Sequence, residues 1–205
     1  MSAPILSVID GRVLGCLLEK ERTTPDQYPL SLNALVLACN QSTARDPVMT
    51  VDSHDAEGAI MSLKAVGLCR LVHPSHGRSV TRYRQVADEH FGWSAEQSAL
   101  VAMLMLRGPQ TLSELRTRTE RMHEYESLDD VEAVLRSLAS GDEPAVVQLE
   151  RATGQKEVRW MQLVAAEAEH TPRAAAVLPS GGLSDRVAEL EARVAALESA
   201  LADLL

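Results

Sequence analysis

Leucine, valine and methionine recur along this chain at the three- and four-residue spacing of a helix that buries one face. The segment GRVLGCLLEK places Leu14, Leu17 and Leu18 at this spacing. The segment QSALVAMLMLR, residues 97–107, repeats the pattern with different residues. The pattern predicts two helices that occupy equivalent places in an internal repeat.

The elements after these helices also occur twice, in the same order. The segments LSLNAL, from Leu30, and TLSEL, from Thr111, each open a short second helix. The segments DSHDAEGAIMSLKAVG and ESLDDVEAVLRSLASG then predict a third helix in each half. Because all three helices repeat, the two halves are predicted to share one fold.

Each half closes with two short strand-like runs around a polar turn. These are CRLV and VTRYRQV in the first half, and AVVQLE and VRWMQLV in the second, with Arg82-Tyr83 and Arg159-Trp160 at equivalent places. Three helices followed by a hairpin is the winged-helix order. We predict a mainly α protein with small β-hairpin wings (α+β), with tandem winged-helix domains at residues 1–88 and 89–164.

Polar residues and glycines mark the predicted helix ends. Ser94, Thr111 and Ser127 each stand three residues before a side chain that can complete a capping box. The second members of these pairs are Gln97, Glu114 and Asp130, and Ser31 is a further predicted cap. Gly67 and Gly141 stand where third helices should stop. Pro25 and Pro29 predict an extended turn, and Asp46-Pro47 a break before the third helix.

The C-terminal part of the chain has a different pattern. Residues 165–183 are rich in Ala, Pro and Gly, which predicts a flexible linker, and residues 184–205 predict a coiled-coil helix. Its heptad a and d positions are apolar: Val187, Leu190, Val194, Leu197, Leu201 and Leu204. β-Branched a residues with leucine at d favour a parallel dimer, so we predict a homodimer. The alternative is an amphipathic helix docked on its own domain.

The charge is unevenly distributed over the 205 residues. The net charge of −9 lies mainly beyond residue 86, because residues 1–86 carry nine Lys and Arg against eight Asp and Glu. An acidic surface opposes sequence-independent binding to nucleic acid, which depends on cationic contacts to phosphate. Only the first half is therefore a candidate for binding DNA.

The remaining composition points to a reduced, intracellular environment. The three cysteines, Cys16, Cys39 and Cys69, are odd in number and form no CxxC pair. No apolar run is long enough to span a membrane, and the N-terminus does not have the pattern of a secretion signal. We predict a cytoplasmic protein with no membrane association.

The longest distinctive stretch of the sequence resembles a known family. The segment VLGCLLEKERTTPDQYPLSLNALVLACNQSTARDPV contains the elements TTPDQYPLSLNAL, ACNQ and RDPV in order. It is similar to the YceH-like family of bacterial proteins, and the resemblance covers residues 5–164. The resemblance implies a tandem winged-helix fold and brings no biochemical activity with it.

The motif contains little that is typical of a catalytic or metal site. Cys39 has no histidine nearby in sequence to act as a base, so a buried core cysteine is the simpler interpretation. Cys69, His73 and His76 could offer three metal ligands without an obvious fourth, and a hairpin turn explains them more simply. We predict no enzymatic activity, no metal and no cofactor.

Five polar residues cluster around the predicted second helix: Tyr28, Asn33, Asn40, Gln41 and Arg45. They predict either scaffolding for the turns, with Arg45 paired to an acid, or a surface that binds a partner. The sequence leaves both interpretations open.

The wing of the first half is the predicted nucleic-acid surface. Arg78, Arg82 and Arg84 share parity along one strand, and Arg70 lies on the partner strand. Such a wing could contact the backbone or minor groove of DNA, whereas the alternative is a charged strand edge that opposes aggregation. Acidic residues begin both third helices, which argues against ordinary insertion of a recognition helix.

Two functions remain after these considerations. The first is a dimeric DNA-associated regulator, a transcriptional regulator by analogy of fold, that contacts DNA through the first wing. The second is an adaptor that uses its winged helices to bind another protein. An arginine patch would favour DNA, and an exposed apolar surface would favour a protein partner.

Overall fold

The computed structural model describes residues 6–73, 80–151 and 157–167. They belong to one compact unit, Met1–Glu169. The predicted linker, apart from its first three residues, and the coiled-coil positions from Val187 to Leu204 lie outside the described residues. Within the described part, no helix is long and apolar enough to cross a lipid bilayer.

The first half contains three helices and a three-stranded antiparallel sheet. Its elements are α1 (Val8–Thr23), a 3₁₀ turn (Pro25–Gln27), β1 (Leu30–Ser31), α2 (Leu32–Cys39), α3 (Ser53–Ala65), β2 (Cys69–Val72) and β3 (Arg82–Gln85). The strand order is β1-β3-β2, which places β3 in the centre. The short β1 thus ties the start of α2 to the wing.

The second half repeats this arrangement after a short connecting helix. Its elements are α4 (Ala87–Phe91), α5 (Ala95–Arg107), α6 (Leu112–Thr119), α7 (Leu128–Ala139), β4 (Val146–Gln148) and β5 (Trp160–Gln162). Strands β4 and β5 are antiparallel, and an isolated bridge between Gln110 and Trp160 stands where β1 stands in the first half. The predicted mixed α+β class is confirmed, and both halves have the predicted order of helices and strands.

The helix caps follow the sequence signals. Complete capping boxes begin α5, α6 and α7 at Ser94, Thr111 and Ser127, and the Ser31 side chain accepts from the Ala34 amide at the start of α2. Each cap satisfies backbone donors that have no partner inside the helix. The predicted caps are therefore confirmed.

A pair of arginine contacts shows how closely the halves correspond. Arg82 Nη1 donates to the carbonyl oxygen of Pro29 at 2.8 Å, and Arg159 Nη1 donates to that of Pro109, also at 2.8 Å. Each arginine lies at or just before the last strand of its half and contacts a proline two residues before the N-cap of the second helix. The predicted equivalence of Arg82 and Arg159 is confirmed by this shared contact.

Two local features differ from the sequence prediction. The expected extended turn at Pro25 is a 3₁₀ turn instead, with proline at its first position, where no amide donor is needed. The chain between the halves forms α4, whose first amide, that of Ala87, donates to Gln85 Oε1 at 2.7 Å. Such a one-turn helix is too short to produce a visible hydrophobic period.

The first helices of the two halves pack against each other through glycine. At Gly15 on α1, an added Cβ would lie 3.1 Å from the Leu106 side chain of α5. The amide of Asp46 also donates to the carbonyl of Leu106, at 2.9 Å. Buried residues of both halves form one hydrophobic cluster, and the division at residue 88 stays a prediction about domain boundaries.

Two helical glycines predict opposite responses to the same substitution. Gly11→Ala on α1 is expected to destabilise the protein by about 1–3 kcal/mol, because the new Cβ would lie too close to a neighbouring atom. That atom is the Ala165 Cβ, 2.6 Å away, whereas a Cβ at Gly58 on α3 would meet nothing within 4 Å. Gly58→Ala should stabilise α3 by about 0.5–1 kcal/mol, since alanine favours helices. Urea unfolding of both variants measures the two shifts, and a stabilised Gly11→Ala would contradict the packing at Ala165.

Candidate functional site

The outer face of the first wing brings together the described members of the predicted arginine set. The register of β2 and β3 places Arg70 directly opposite Arg84, and Arg82 two residues away on the same side of β3. The Arg70 and Arg84 side chains are 63% and 38% exposed. Arg78 lies outside the described residues. The arrangement agrees with the shared parity expected from the sequence.

One carboxylate from α4 partly balances these charges. Glu89 Oε1 accepts from Arg84 Nη2 at 2.8 Å, and its Oε2 lies 3.3 Å from Arg70 Nη1. Arg82 has a different partner, the Pro29 carbonyl oxygen. Among the described residues, Glu89 is the carboxylate that pairs with Arg70 and Arg84. The three arginines and this glutamate therefore leave an excess of positive charge on the described part of the face. Glu89 was not foreseen because α4 itself was not predicted.

The leading ends of both third helices are acidic. Asp52 caps α3 and forms a capping box with Asp55, while Ser127 and Asp130 do the same on α7. Carboxylates in the first helical turn are favourable for the helix dipole. They would also repel the phosphates that flank a DNA groove, so the wing is the better candidate surface for nucleic acid in the first half.

The polar residues of the family motif have separate positions and partners. The Tyr28 hydroxyl accepts from the amide of Gln85 at 2.6 Å, and burial of the ring raises the pKa of this hydroxyl. Gln41 Oε1 lies 3.4 Å from Lys20 Nζ, whereas Asn33 lies exposed on α2. The motif residues therefore do not converge on one surface cavity.

Asn40 holds the connection between α2 and α3. Its side chain accepts from the amide of Val51 and donates to the carbonyl of Val51, both at 2.7 Å. This two-bond contact joins the C-terminal end of α2 to the residue before the cap of α3. The role of Asn40 in this contact is structural.

Arg45 lies at the centre of a buried polar cluster. Its guanidinium donates to Glu19 through Nη1 at 3.2 Å and through Nη2 at 2.6 Å, and its Nε donates to the Ala38 carbonyl at 3.1 Å. Arg45 and Glu19 are only 5% and 8% exposed. This ion pair is one of the two interpretations that the sequence left open for Arg45.

A second buried arginine, Arg12, was not predicted from the sequence. Arg12 on α1 donates to the carbonyl oxygens of Cys39 at 3.2 Å and Pro47 at 2.7 Å. In the part of the chain that the structure describes, its Nε has no hydrogen-bond partner. Arg12 and Glu19 are seven residues apart, so they lie on nearly the same face of α1. Two charged residues at this spacing in an otherwise apolar helix were the signal in the sequence from which buried charges on α1 could have been predicted. Among the described residues, none of the ion pairs includes Arg12.

Cys16 and Cys39 lie within this cluster, and Cys69 is buried elsewhere in the first half. No three His, Cys, Asp or Glu side chains in the described ranges are grouped as metal ligands. His76, which the sequence placed beside Cys69 and His73, lies outside those ranges. Of the three possible metal ligands named from the sequence, the structure therefore describes only Cys69 and His73.

Comparison with known proteins finds many close relatives. A family model described as "Protein of unknown function, DUF480" matches residues 6–155. A UPF0502 protein of Dechloromonas aromatica is 44% identical, covering 99% of this chain and 94% of its own length. Another from Stenotrophomonas maltophilia strain R551-3 is 41% identical, with 98% and 94% covered. One from Pelobacter propionicus is 43% identical, with 98% and 93% covered.

These matches test the family resemblance that the sequence motif predicted. The similarity to a family of uncharacterised bacterial proteins is confirmed. The alignments with the relatives cover nearly the whole chain, so they extend into the C-terminal segment that the motif did not include.

Proposed function

The chain belongs to the DUF480 family of proteins of unknown function, and we propose that it acts by binding duplex DNA through the outer face of the first wing. The observation that supports this proposal is the alignment of Arg70, Arg82 and Arg84 on one face of the sheet. Guanidinium groups spaced along a strand suit the phosphate backbone, which they contact through charge-assisted hydrogen bonds.

The proposed contact is to the backbone and carries little sequence information. Phosphate contacts fix the position of a protein on DNA, whereas base edges supply specificity. The acidic leading end of α3, with Asp52, Asp55 and Glu57, makes insertion of that helix into the major groove unfavourable. We propose a non-enzymatic, DNA-associated protein, and its use as a transcriptional regulator is part of the same proposal.

The dimer forms a further part of the proposal. The heptad positions predicted for residues 184–205 would join two chains and present two wings to one duplex. Two linked weak sites bind more tightly than one because the second contact becomes intramolecular. This would compensate for the small number of arginines on each wing.

The test uses fluorescence anisotropy of random duplex DNA over a salt series. Arg70→Ala/Arg84→Ala is expected to weaken binding and to reduce the slope of log K against log salt by about 2 for each wing engaged. Arg136→Ala is the matched control, since Arg136 on α7 is 64% exposed and also paired with a glutamate, Glu132. The control should bind like the unmodified protein.

A second variant is expected to change DNA binding in the opposite direction. Glu89→Gln removes the carboxylate that pairs with Arg70 and Arg84, so it should strengthen DNA binding while the arginine variants weaken it. If Glu89 only stabilises the wing, Glu89→Gln will leave binding unchanged or weaken it. Absence of binding by the unmodified protein at low salt would reject the proposal for generic duplex DNA.

Binding of a protein partner is the second candidate function. Leu37 on α2 is 71% exposed and Met61 on α3 is 62% exposed, both in the first half. A contiguous exposed apolar patch is typical of a surface that a partner covers, and Leu37 and Met61 are the proposed members of such a patch. If DNA binding fails in the salt series, this candidate becomes the leading one.

A further inference from the structure

The two wings place an equivalent arginine next to different charges. Arg82 and Arg159 each donate through Nη1 to a proline carbonyl oxygen, at 2.8 Å in both cases. In the second half, Glu114 Oε2 also accepts from Arg159 Nη1 at 2.9 Å, and its Oε1 accepts from Arg118 Nη2 at 3.3 Å. Glu114 thus provides the wing arginine of the second half with an anionic partner.

The first half has no carboxylate at the equivalent place. Glu114 is the third residue of α6 and forms a capping box with Thr111. On α2, the Ser31 side chain accepts from the amide of Ala34, so Ala34 occupies the position that Glu114 has on α6. The first turn of α2 contains no acidic residue. Alanine cannot pair with a guanidinium group, so α2 does not balance the charge of Arg82.

Arg82 also differs from the other arginines of the first outer face. Arg70 and Arg84 both contact Glu89, at 3.3 and 2.8 Å. In the part of the chain that the structure describes, Arg82 is exposed and has no carboxylate partner. Its contact with the Pro29 carbonyl oxygen holds the guanidinium group in place without neutralising it. A cation that is already positioned loses less conformational freedom when it binds an anion.

The second wing also has apolar side chains where the first wing has its other two arginines. The register of β4 and β5 places Val147 opposite Met161, which is two residues after Arg159. The corresponding pair in the first wing is Arg70 and Arg84. Binding to the DNA backbone depends on cations that are free to contact phosphate. The described part of the second wing therefore lacks the charges that make the first wing a candidate.

We propose that Arg82 is the arginine of the first wing that contributes most to phosphate binding, and that the second wing does not bind DNA. This inference rests on the proposed function, because it assigns the main DNA contact to one residue of the same face. Within the described ranges, Nε and Nη2 of Arg82 have no partner, so they bind a phosphate without first breaking an ion pair. Arg70 and Arg84 must give up or share Glu89 to do the same, so each adds less to the affinity.

One substitution transfers the arrangement of the second half to the first. Ala34→Glu places a carboxylate three residues after Ser31, the spacing at which Glu114 follows Thr111. It is expected to lower the affinity of the full chain for random duplex DNA about tenfold at 0.1 M salt, and to reduce the slope of log K against log salt by about 1, as for one lost phosphate contact. Ala34→Gln is the matched control, because glutamine carries no charge and also completes a capping box, as Gln97 does on α5. The control should bind like the unmodified protein.

Arginine variants show whether the new carboxylate acts through Arg82. Arg82→Ala is expected to weaken binding more than Arg70→Ala or Arg84→Ala alone, and Arg159→Ala should leave it unchanged. Adding Ala34→Glu to Arg82→Ala should weaken binding little further, because the two changes remove the same contact. Urea unfolding of each variant checks that the chain is folded under the conditions of the binding measurement.

The outcomes separate this inference from the proposed function. Equal binding by Ala34→Glu and Ala34→Gln, or a loss in Arg159→Ala as large as that in Arg82→Ala, would overturn the inference. Either result would leave the wing contact in place if Arg70→Ala/Arg84→Ala still weakens binding. If the Ala34 variants fail to fold, the comparison of Arg82→Ala with Arg159→Ala decides the question. Absence of binding by the unmodified protein at low salt would reject both the inference and the proposed function.

Discussion

Arg45→Ala is expected to reduce the free energy of unfolding by about 3–5 kcal/mol, because it removes the buried ion pair of Glu19 and leaves that carboxylate with the longer contact to Lys20, at 3.4 Å. The Arg45 side chain is fully buried, and two of its nitrogens contact Glu19, at 3.2 and 2.6 Å. It also donates to the carbonyls of Ala38 and Ala44, so truncation removes hydrogen bonds from the end of α2. Urea unfolding followed by circular dichroism measures the loss.

A surface ion pair provides the matched control for Arg45. Arg136→Ala breaks the exposed pair with Glu132 on α7 and is expected to cost about 0.5 kcal/mol or less. The double variant Arg45→Met/Glu19→Leu removes both buried charges and should recover much of the stability lost in Arg45→Ala. A loss below 1 kcal/mol in Arg45→Ala would show that the connection between α2 and α3 does not depend on this pair.

The parts of the fold that could be predicted are those with local signals. The three capping boxes from Ser94, Thr111 and Ser127 each need only two side chains three residues apart, so the sequence displays them directly. The hairpins were predictable from short apolar runs around polar turns, and the parity of Arg82 and Arg84 follows from strand geometry. These features do not require knowledge of distant contacts.

The parts that could not be predicted depend on contacts between distant segments. Arg12, Glu19 and Arg45 meet only because α1 packs beside the connection after α2, and no local spacing links residue 45 to residue 19. In the same way, Glu89 faces Arg70 and Arg84 only once α4 has formed. The counter-charge of the candidate surface could therefore not be predicted from the sequence, because it lies on an element without a visible pattern.

Trp160→Ala is expected to destabilise the protein by about 3–5 kcal/mol, because it removes one of the largest side chains from the core of the second half. Trp160 is 2% exposed and starts β5, where its backbone exchanges hydrogen bonds with Gln110 at 2.8 and 3.0 Å. Those backbone bonds remain in the variant, so the loss comes from the cavity left by the indole. Thermal or urea unfolding gives its size.

Trp160→Phe tests whether volume or the indole nitrogen matters more. The indole Nε1 is buried and has no hydrogen-bond partner within residues 6–73, 80–151 and 157–167, so phenylalanine removes an unsatisfied donor along with part of the ring. We expect Trp160→Phe to cost about 1.5 kcal/mol or less, well below the alanine variant. Tyr83→Ala, at the equivalent place in the first half, should cost less than Trp160→Ala, because Tyr83 is only half-buried. Equal losses of stability for Trp160→Phe and Trp160→Ala would mean that the indole nitrogen has a hydrogen-bond partner and that this bond stabilises the core of the second half.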